Sequence, residues 1–334
     1  MSQCFVFLTD PHITNSWPDS RKDDFLSVIL GKLAWCVHLA NEANASIIMG
    51  GDLLNKYNLR PGVVNAAMRV LREARNPIFS IIGNHDIYGQ NYTVADDLLI
   101  GTLFSSGLVK LLDKDPYFLP VVDGSDKVIQ LTGFSYLPNI DKSPAAYEIQ
   151  KSVDKNVVCA IHVVHGFLLA NPWKNLAADR YTVIEAINTE ADIVCVGHEH
   201  QGFGIQHSKN TTFVNPGSLG RISSNLKEIV RVPKVAVINV YVDEYTVDLV
   251  NVPAPQGADV LDREAIKAEM LQKQKLAEFR NSLGETVLSD TIDLNELFTA
   301  AAEKLKISED VLKVSLNALD AHDASLLGKK GKGE

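Results

Sequence analysis

Five times along this chain a short apolar run stops at a cluster of Asp, Asn or His. "CFVFL" at 4–8 leads into Asp10 and His12, and "ASIIM" at 45–49 crosses a glycine pair to Asp52. "NPIFSII" at 76–82 leads into Asn84, His85 and Asp86. "NVVCAIHVV" at 156–164 ends at His165, and "ADIVCV" at 191–196 leads into His198 and His200. Runs of this length and composition read as buried strands. Helical periods separate the first three. One spans 24–44, with Phe25, Val28, Ile29, Leu33 and Val37 apolar; the other spans roughly 61–75 and is opened by Pro61. Alternating strand and helix predicts an α/β fold, in which polar groups collect beyond the carboxyl ends of the strands.

The rest of the chain adds more β-structure. "KVIQLTGFSYLP" at 127–138 and "TTFVNPGSLG" at 211–220 read as strands. "VAVINVYVDEYTVDLVNVP" at 235–253 reads as a hairpin turning near Asp243–Glu244, and "RYTVIEAINTE" at 180–190 as a helix. The short links predict a second, mostly antiparallel sheet. The expected architecture is a two-sheet β-sandwich flanked by helices. Composition shifts at "PAPQGADVLD", 253–262. We therefore expect a main domain over 1–255 and a small helical extension over 256–334 with a disordered tail. Its first helix, 263–280, carries Ile266, Met270, Leu271 and Leu276 among alternating charges. Such a face packs on a core, docks a partner or joins a second copy.

The chain has 334 residues and a formal charge of −9, which disfavours a broad basic face for DNA or an anionic membrane. A local basic cleft remains compatible with it, because bound cations would offset carboxylates. The four cysteines, Cys4, Cys36, Cys159 and Cys195, lack the convergent spacing of a zinc site and read as buried thiols. No basic amino-terminal region or membrane-length apolar stretch is present. A reducing cytoplasm fits these features.

The strand-end residues form a coherent ligand set. Carboxylate, amide and imidazole together suit Mn, Fe or Zn. So many ligands imply two ions, about 3.5–4 Å apart and bridged by a shared carboxylate. Asp52, alone after "GG", is the natural bridge. "CAIHVVHG" offers two imidazoles. His165 stands at the run's end, where a ligand belongs; His162, inside it, reads as a packed or hydrogen-bonded histidine.

In series, "DPH" (10–12), "GGD" (50–52), "GNHD" (83–86), "HG" (165–166) and "GHEH" (197–200) resemble the calcineurin-like metallophosphoesterase pattern. The resemblance covers roughly 1–255. It implies one metal held by Asp10, His12, Asp52 and His200, and another by Asp52, Asn84, His165 and His198. It also implies a metal-activated hydroxide for in-line attack on a phosphoester. His85, just outside the ligand set, would protonate the leaving oxygen or steady charge on the phosphate. Asp86 would orient the loop or His85 itself.

Within that superfamily the chain is most similar to the SbcD/Mre11-type DNA-repair nucleases, in compact phage-like versions. "RKDDF" (21–25), "GDLLNKYNLRPG" (51–62), "NPGSLGR" (215–221) and "RVPKVAVINV" (231–240) carry this likeness. It implies manganese-dependent exonuclease and single-strand endonuclease activity in a bacterial host's cytoplasm. It further implies an SbcC/Rad50-like coiled-coil ATPase docking on the carboxyl-terminal region, and a homodimer. One departure is Asn55. That family often places a histidine or aspartate there, whereas an amide cannot exchange a proton at neutral pH. Candidate phosphate contacts are Lys56, Arg60 and Arg221, with Arg21, Lys22, Lys174 and Arg180. Tyr57 and Tyr92 are candidates for stacking on a base. The competing enzyme reading is a small-molecule phosphodiesterase or phosphatase.

Overall fold

The computed structural model describes residues 2–16, 21–113, 115–121, 126–173, 180–222, 226–262, 264, 267 and 271. The rest of the expected helical extension, most of 263–280 and the tail lie outside them. The chain divides into two compact units, Met1–Ile266 and Lys267–Glu334; only the first is described below. Among the described residues no helix is long and apolar enough to cross a membrane.

The described residues form fourteen strands. The first half of the chain supplies β1 (Gln3–Leu8), β2 (Ser46–Met49), β3 (Ile78–Ser80), β4 (Lys110–Leu111), β5 (Tyr117–Pro120) and β6 (Lys127–Phe134). The second half supplies β7 (Asn156–His165), β8 (Leu168–Leu169), β9 (Thr182–Val183), β10 (Ile193–Gly197), β11 (Gly204–Ser208), β12 (Thr211–Asn215), β13 (Lys234–Val240) and β14 (Tyr245–Asn251). One six-stranded sheet has the order β14-β13-β1-β2-β3-β4, and the other β11-β12-β10-β7-β6-β5. Helices α1 (Phe25–Glu42), α2 (Pro61–Leu71) and α3 (Leu99–Ser105) flank the first sheet. A short α4 (Gly257–Val260) closes the described part.

Period-two alternation explains the layering. On β1, Phe5 and Phe7 face the other sheet, packing with Ile161 and Val163 of β7 and Cys195 of β10. Val6 and Leu8 face the helices, against Ile29, Leu33 and Val64. On β10, Val194 and Val196 face outward onto Tyr147 and Ile184. Strands covered on both faces read as unbroken apolar runs. Asp24 caps α1 by accepting the Ser27 N–H, and Pro61 opens α2. All four cysteines are buried free thiols.

The expected sandwich flanked by helices is present, but three details differ. The second sheet is parallel at its centre: β6, β7, β10 and β12 run in one direction, with antiparallel pairing only at its edges. The links between β6 and β7 (135–155) and between β7 and β10 (166–192) are crossovers, which parallel neighbours require. The β13–β14 hairpin turns at 241–244 but joins the first sheet, with β13 antiparallel to β1. "RYTVIEAINTE" is not an α-helix. Thr182–Val183 pairs with β8, and only Ile184–Ala186 forms a 3-10 turn. Its β-branched residues favour that extended start.

Candidate metal centre

The first sheet brings β1, β2 and β3 side by side in parallel, and the second does the same for β7 and β10. Their carboxyl ends therefore meet at one end of the sandwich. Asp10, His12, Asp52 and His200 present ligand atoms within 4.8 Å of one another, and so do Asp52, His165 and His198. Asp52 belongs to both groups. Its Oδ2 lies 3.6 Å from His12 Nε2 and 3.4 Å from His165 Nε2. Asn84 Oδ1 lies 3.1 Å from His165 Nε2, so the amide adjoins the second group.

Sharp corners aim these side chains. Asp10, His12, Asp52 and His198 all have φ between 49° and 84°, the left-handed region that non-glycine residues seldom occupy. Flanking glycines make room. A Cβ on Gly83 would strike the Asp52 carboxylate, and one on Gly51 would come within 2.6 Å of His165 Nδ1. The glycines of "GGD" and "GNHD" are thus steric requirements of the corners.

Neighbouring groups orient each ligand. Thr9 Oγ1 donates to Asp10 Oδ2 at 2.6 Å, and the His198 backbone N–H donates to the same carboxylate. His85 N–H donates to Asp52 Oδ1 at 2.8 Å. His165 Nδ1 donates to Gly50 O at 2.7 Å, which leaves Nε2 turned toward Asp52 and Asn84. Ser218 donates its hydroxyl to Asp10 O and its N–H to His200 O. The sequence pattern singles out neither Thr9 nor Ser218, although Thr9 directly precedes Asp10.

The donor set fits divalent cations. Asp52 Oδ2 and His12 Nδ1 are buried without hydrogen-bond partners, an arrangement that is costly unless something else satisfies them. His12 Nε2 and His200 Nε2 face each other at 3.0 Å. Burial pushes the His12 imidazole well down; burial, then His165, pushes His198 down to about 3. Both rings are therefore neutral, with lone pairs to offer. Burial would also discharge His165, but Asp52, Asp10 and the Gly50 carbonyl overcome it and raise the ring to about 9. The proton this places on His165 lies near Asp52 and Asn84, where a cation would sit. Burial likewise works to raise Asp52, and the surrounding imidazoles hold it well below the carboxylate range.

The remaining sequence candidates separate. His85 is half-buried, with its ring centroid 4.7 Å from that of His12 and its Nδ1 3.0 Å from Asn55 O. Asn55 thus positions His85, but through its main chain. Asp86 accepts the N–H groups of Leu54 (2.8 Å) and Gly83 (2.9 Å), so it shapes the loop and does not touch His85. Burial and the nearby Asp52 push its carboxyl up to about 7. His162 is spent between Thr132 Oγ1 and Ala146 O. Lys56, Arg60, Lys22 and Arg180 are exposed, and Lys174 lies outside the described residues.

Arg221 departs from expectation as a substrate contact. It is 3% exposed and donates to Arg231 O and Pro255 O, because the buried carbonyls around the "NPGSLGR" turn need donors. Arg21 is likewise buried, holding Asp23 and Arg221 O. Tyr92 packs against the helical side of the core, near Asp113 and Ser135, and the ring beside Tyr57 is that of Tyr88.

This geometry meets an independent match. The calcineurin-like phosphoesterase superfamily domain matches residues 30–236. That is more than half of the chain, and the protein belongs to this family of metal-dependent phosphoesterases. The match begins after Asp10 and His12, which the fold returns to the same cluster. Among solved structures, TT1561 of Thermus thermophilus is 13% identical with a TM-score of 0.42, covering 76% of this chain and 100% of that one. Vps29 of Chaetomium thermophilum is also 13% identical, with a TM-score of 0.31 over 76% of this chain and 98% of its own. No curated protein matches.

Proposed function

We propose that the protein is a DNA nuclease, hydrolysing phosphodiesters at a two-ion centre with manganese as its metal. The observation that carries this reading is a cluster closed below and open above. Asp10, His12, Asp52 and His165 are buried, whereas Asn84, His85, His198 and His200 are partly exposed. The loop leaving Asp52 carries exposed Lys56 and Arg60, and a polyanion needs such cations. Divalent ions held there would polarise the phosphoryl group and lower the pKa of bound water. Asp10, His12, Asp52 and His200 would hold one, with Asp52, Asn84, His165 and His198 holding the other. His85 stands beside His12 with Nδ1–H fixed by Asn55 O, so Nε2–H of its imidazolium form is the group that would hand a proton to the leaving oxygen, leaving the neutral Nδ1–H ring behind. As part of the same reading, a coiled-coil ATPase docks on the carboxyl-terminal region and the protein self-associates.

A small-molecule phosphodiesterase or phosphatase is the second reading, favoured by the withdrawal of Arg21 and Arg221 into the protein and by the −9 charge. Incubation with single- and double-stranded DNA in Mn, Mg or Zn decides between them. Cleavage of DNA, fastest with Mn, is expected. Turnover of small diesters with no action on DNA would overturn the nuclease reading.

A further inference from the structure

Three residues past His85 the protein exposes a ring, Tyr88, that meets the half-buried Tyr57, and neither belongs to the core clusters or the candidate centre. The Tyr57 and Tyr88 centroids are 4.9 Å apart at 64°, edge to face, and Tyr88 is 59% exposed. Both ride on loops that leave candidate ligands. Tyr57 follows Asp52 on the first loop, and Tyr88 follows Asn84 on the second. The loops are tied by Leu54 N–H to Asp86 Oδ1 and by His85 Nδ1 to Asn55 O. Buried Leu54, Leu59 and Ile87 anchor them from beneath. After Tyr88 the chain turns through Gly89 at φ 59°, in open space. Tyr88 is thus an exposed ring backed by half-buried Tyr57, on loops tied to each other. Lys56 and Arg60, both exposed, flank Tyr57 in sequence.

Aromatic faces interleaved with cations at the edge of a phosphate-handling centre suit one ligand chemistry. A flat base stacks on the ring while the cations meet the backbone that carries it. In a duplex the bases are already stacked on each other, so an exposed platform selects an unpaired one. We propose that Tyr57 and Tyr88 form a stacking platform for an unpaired base of single-stranded nucleic acid, next to the phosphodiester over the candidate metal centre. This rests on the nuclease reading and narrows it to a strand that is single at the site.

The test compares binding of two short labelled oligonucleotides by fluorescence anisotropy in chelator, where neither is cleaved, with cleavage followed separately in Mn. One carries its bases; the other has tetrahydrofuran spacers in their place. Wild-type protein is expected to bind the first about 5- to 150-fold more tightly, matching about 1–3 kcal/mol per stacked base. Tyr57→Leu/Tyr88→Leu should lose most of that discrimination, yet turn over a small aryl phosphodiester at the wild-type rate, which also shows that it is folded. If the double variant keeps the discrimination while wild type cleaves DNA, the platform falls and the nuclease reading stands. If wild type neither binds nor cleaves either oligonucleotide while turning over the aryl diester, both fall.

Discussion

The His85 imidazole is held by a main-chain oxygen: its Nδ1 lies 3.0 Å from the carbonyl of Asn55. A carbonyl only accepts, so Nδ1 carries the hydrogen and Nε2 is left for substrate. Replacing His85 with Asn should keep both metals, because the ring belongs to neither ligand group. It should slow cleavage of a poor leaving group about 10²–10⁴-fold and an activated aryl diester much less. Metal analysis by mass spectrometry beside the two rate assays checks this. Loss of metal would make His85 a ligand.

The same bond predicts a silent neighbour. The bond to His85 comes from the backbone of Asn55, so Asn55→Ala should leave the rate with the poor leaving group within about a factor of 2–3, about 0.5 kcal/mol. A fall as large as that of His85→Asn would show that the amide itself takes part.

Asn84 supplies the neutral donor beside His165, at 3.1 Å. Asn84→Ala should lower metal stoichiometry from two toward one and weaken the second site by at least about 10–100-fold, the loss usual for a mere supporting group. Equilibrium dialysis reads the stoichiometry directly. Two ions bound with wild-type affinity would remove Asn84 from the ligand set.

Gly83 leaves no room beneath Asp52. In Gly83→Ala the new methyl group runs into the Asp52 carboxylate and N–H. About 1–3 kcal/mol of stability should go with the displaced loop, and metal binding with it. Thermal melting in the presence and absence of Mn separates the two effects. Full retention of both would show that the corner has slack.

Lys32 gives a pH dependence away from the candidate ligands. It is 4% exposed and donates to Leu219 O at 2.9 Å. Burial, then Arg221, Arg21 and Arg231, lowers its ammonium to about 7, with Asp23 opposing them. Above that value the folded chain has released the proton that the unfolded chain still holds, up to its ordinary value near 10.5. Stability should therefore rise with pH through this window, with a slope approaching about 1.4 kcal/mol per pH unit. In Lys32→Met that contribution should vanish. Denaturant titrations of both proteins between about pH 7 and 8.5 isolate this slope, because the thiols, which ionise in the unfolded chain near about 8.5, contribute equally to each. Equal slopes in the two proteins would refute the assignment.

Much of this fold is visible in the chain because the strands are buried on both faces, so apolar runs mark them directly. The turn at 241–244 is visible too, since a polar pair interrupts two alternating runs. Sheet membership is not. β13 (Lys234–Val240) pairs with β1 (Gln3–Leu8), at the other end of the described chain, and no local pattern names that neighbour. The gathering of Asp10, His12, Asp52, His165, His198 and His200 follows from strand ends that share a direction. Arg221 misleads for the opposite reason. An arginine after a glycine turn reads as a surface contact until the carbonyls it must satisfy are known. Tyr88 has no sequence mark, because only the paired loops reveal which ring faces Tyr57.

The bonds that orient the candidate ligands also cross from one sheet to the other. His165 at the end of β7 grips Gly50 beyond β2, His198 beyond β10 grips Asp10 beyond β1, and Ser218 beyond β12 grips Asp10 again. Mechanically they are rivets at one end of a two-plate stack. Sliding one plate over the other would have to shear them first, so the distance across the centre is held by the frame and not by whatever binds there. Removing His165 would take out a fastener along with a donor.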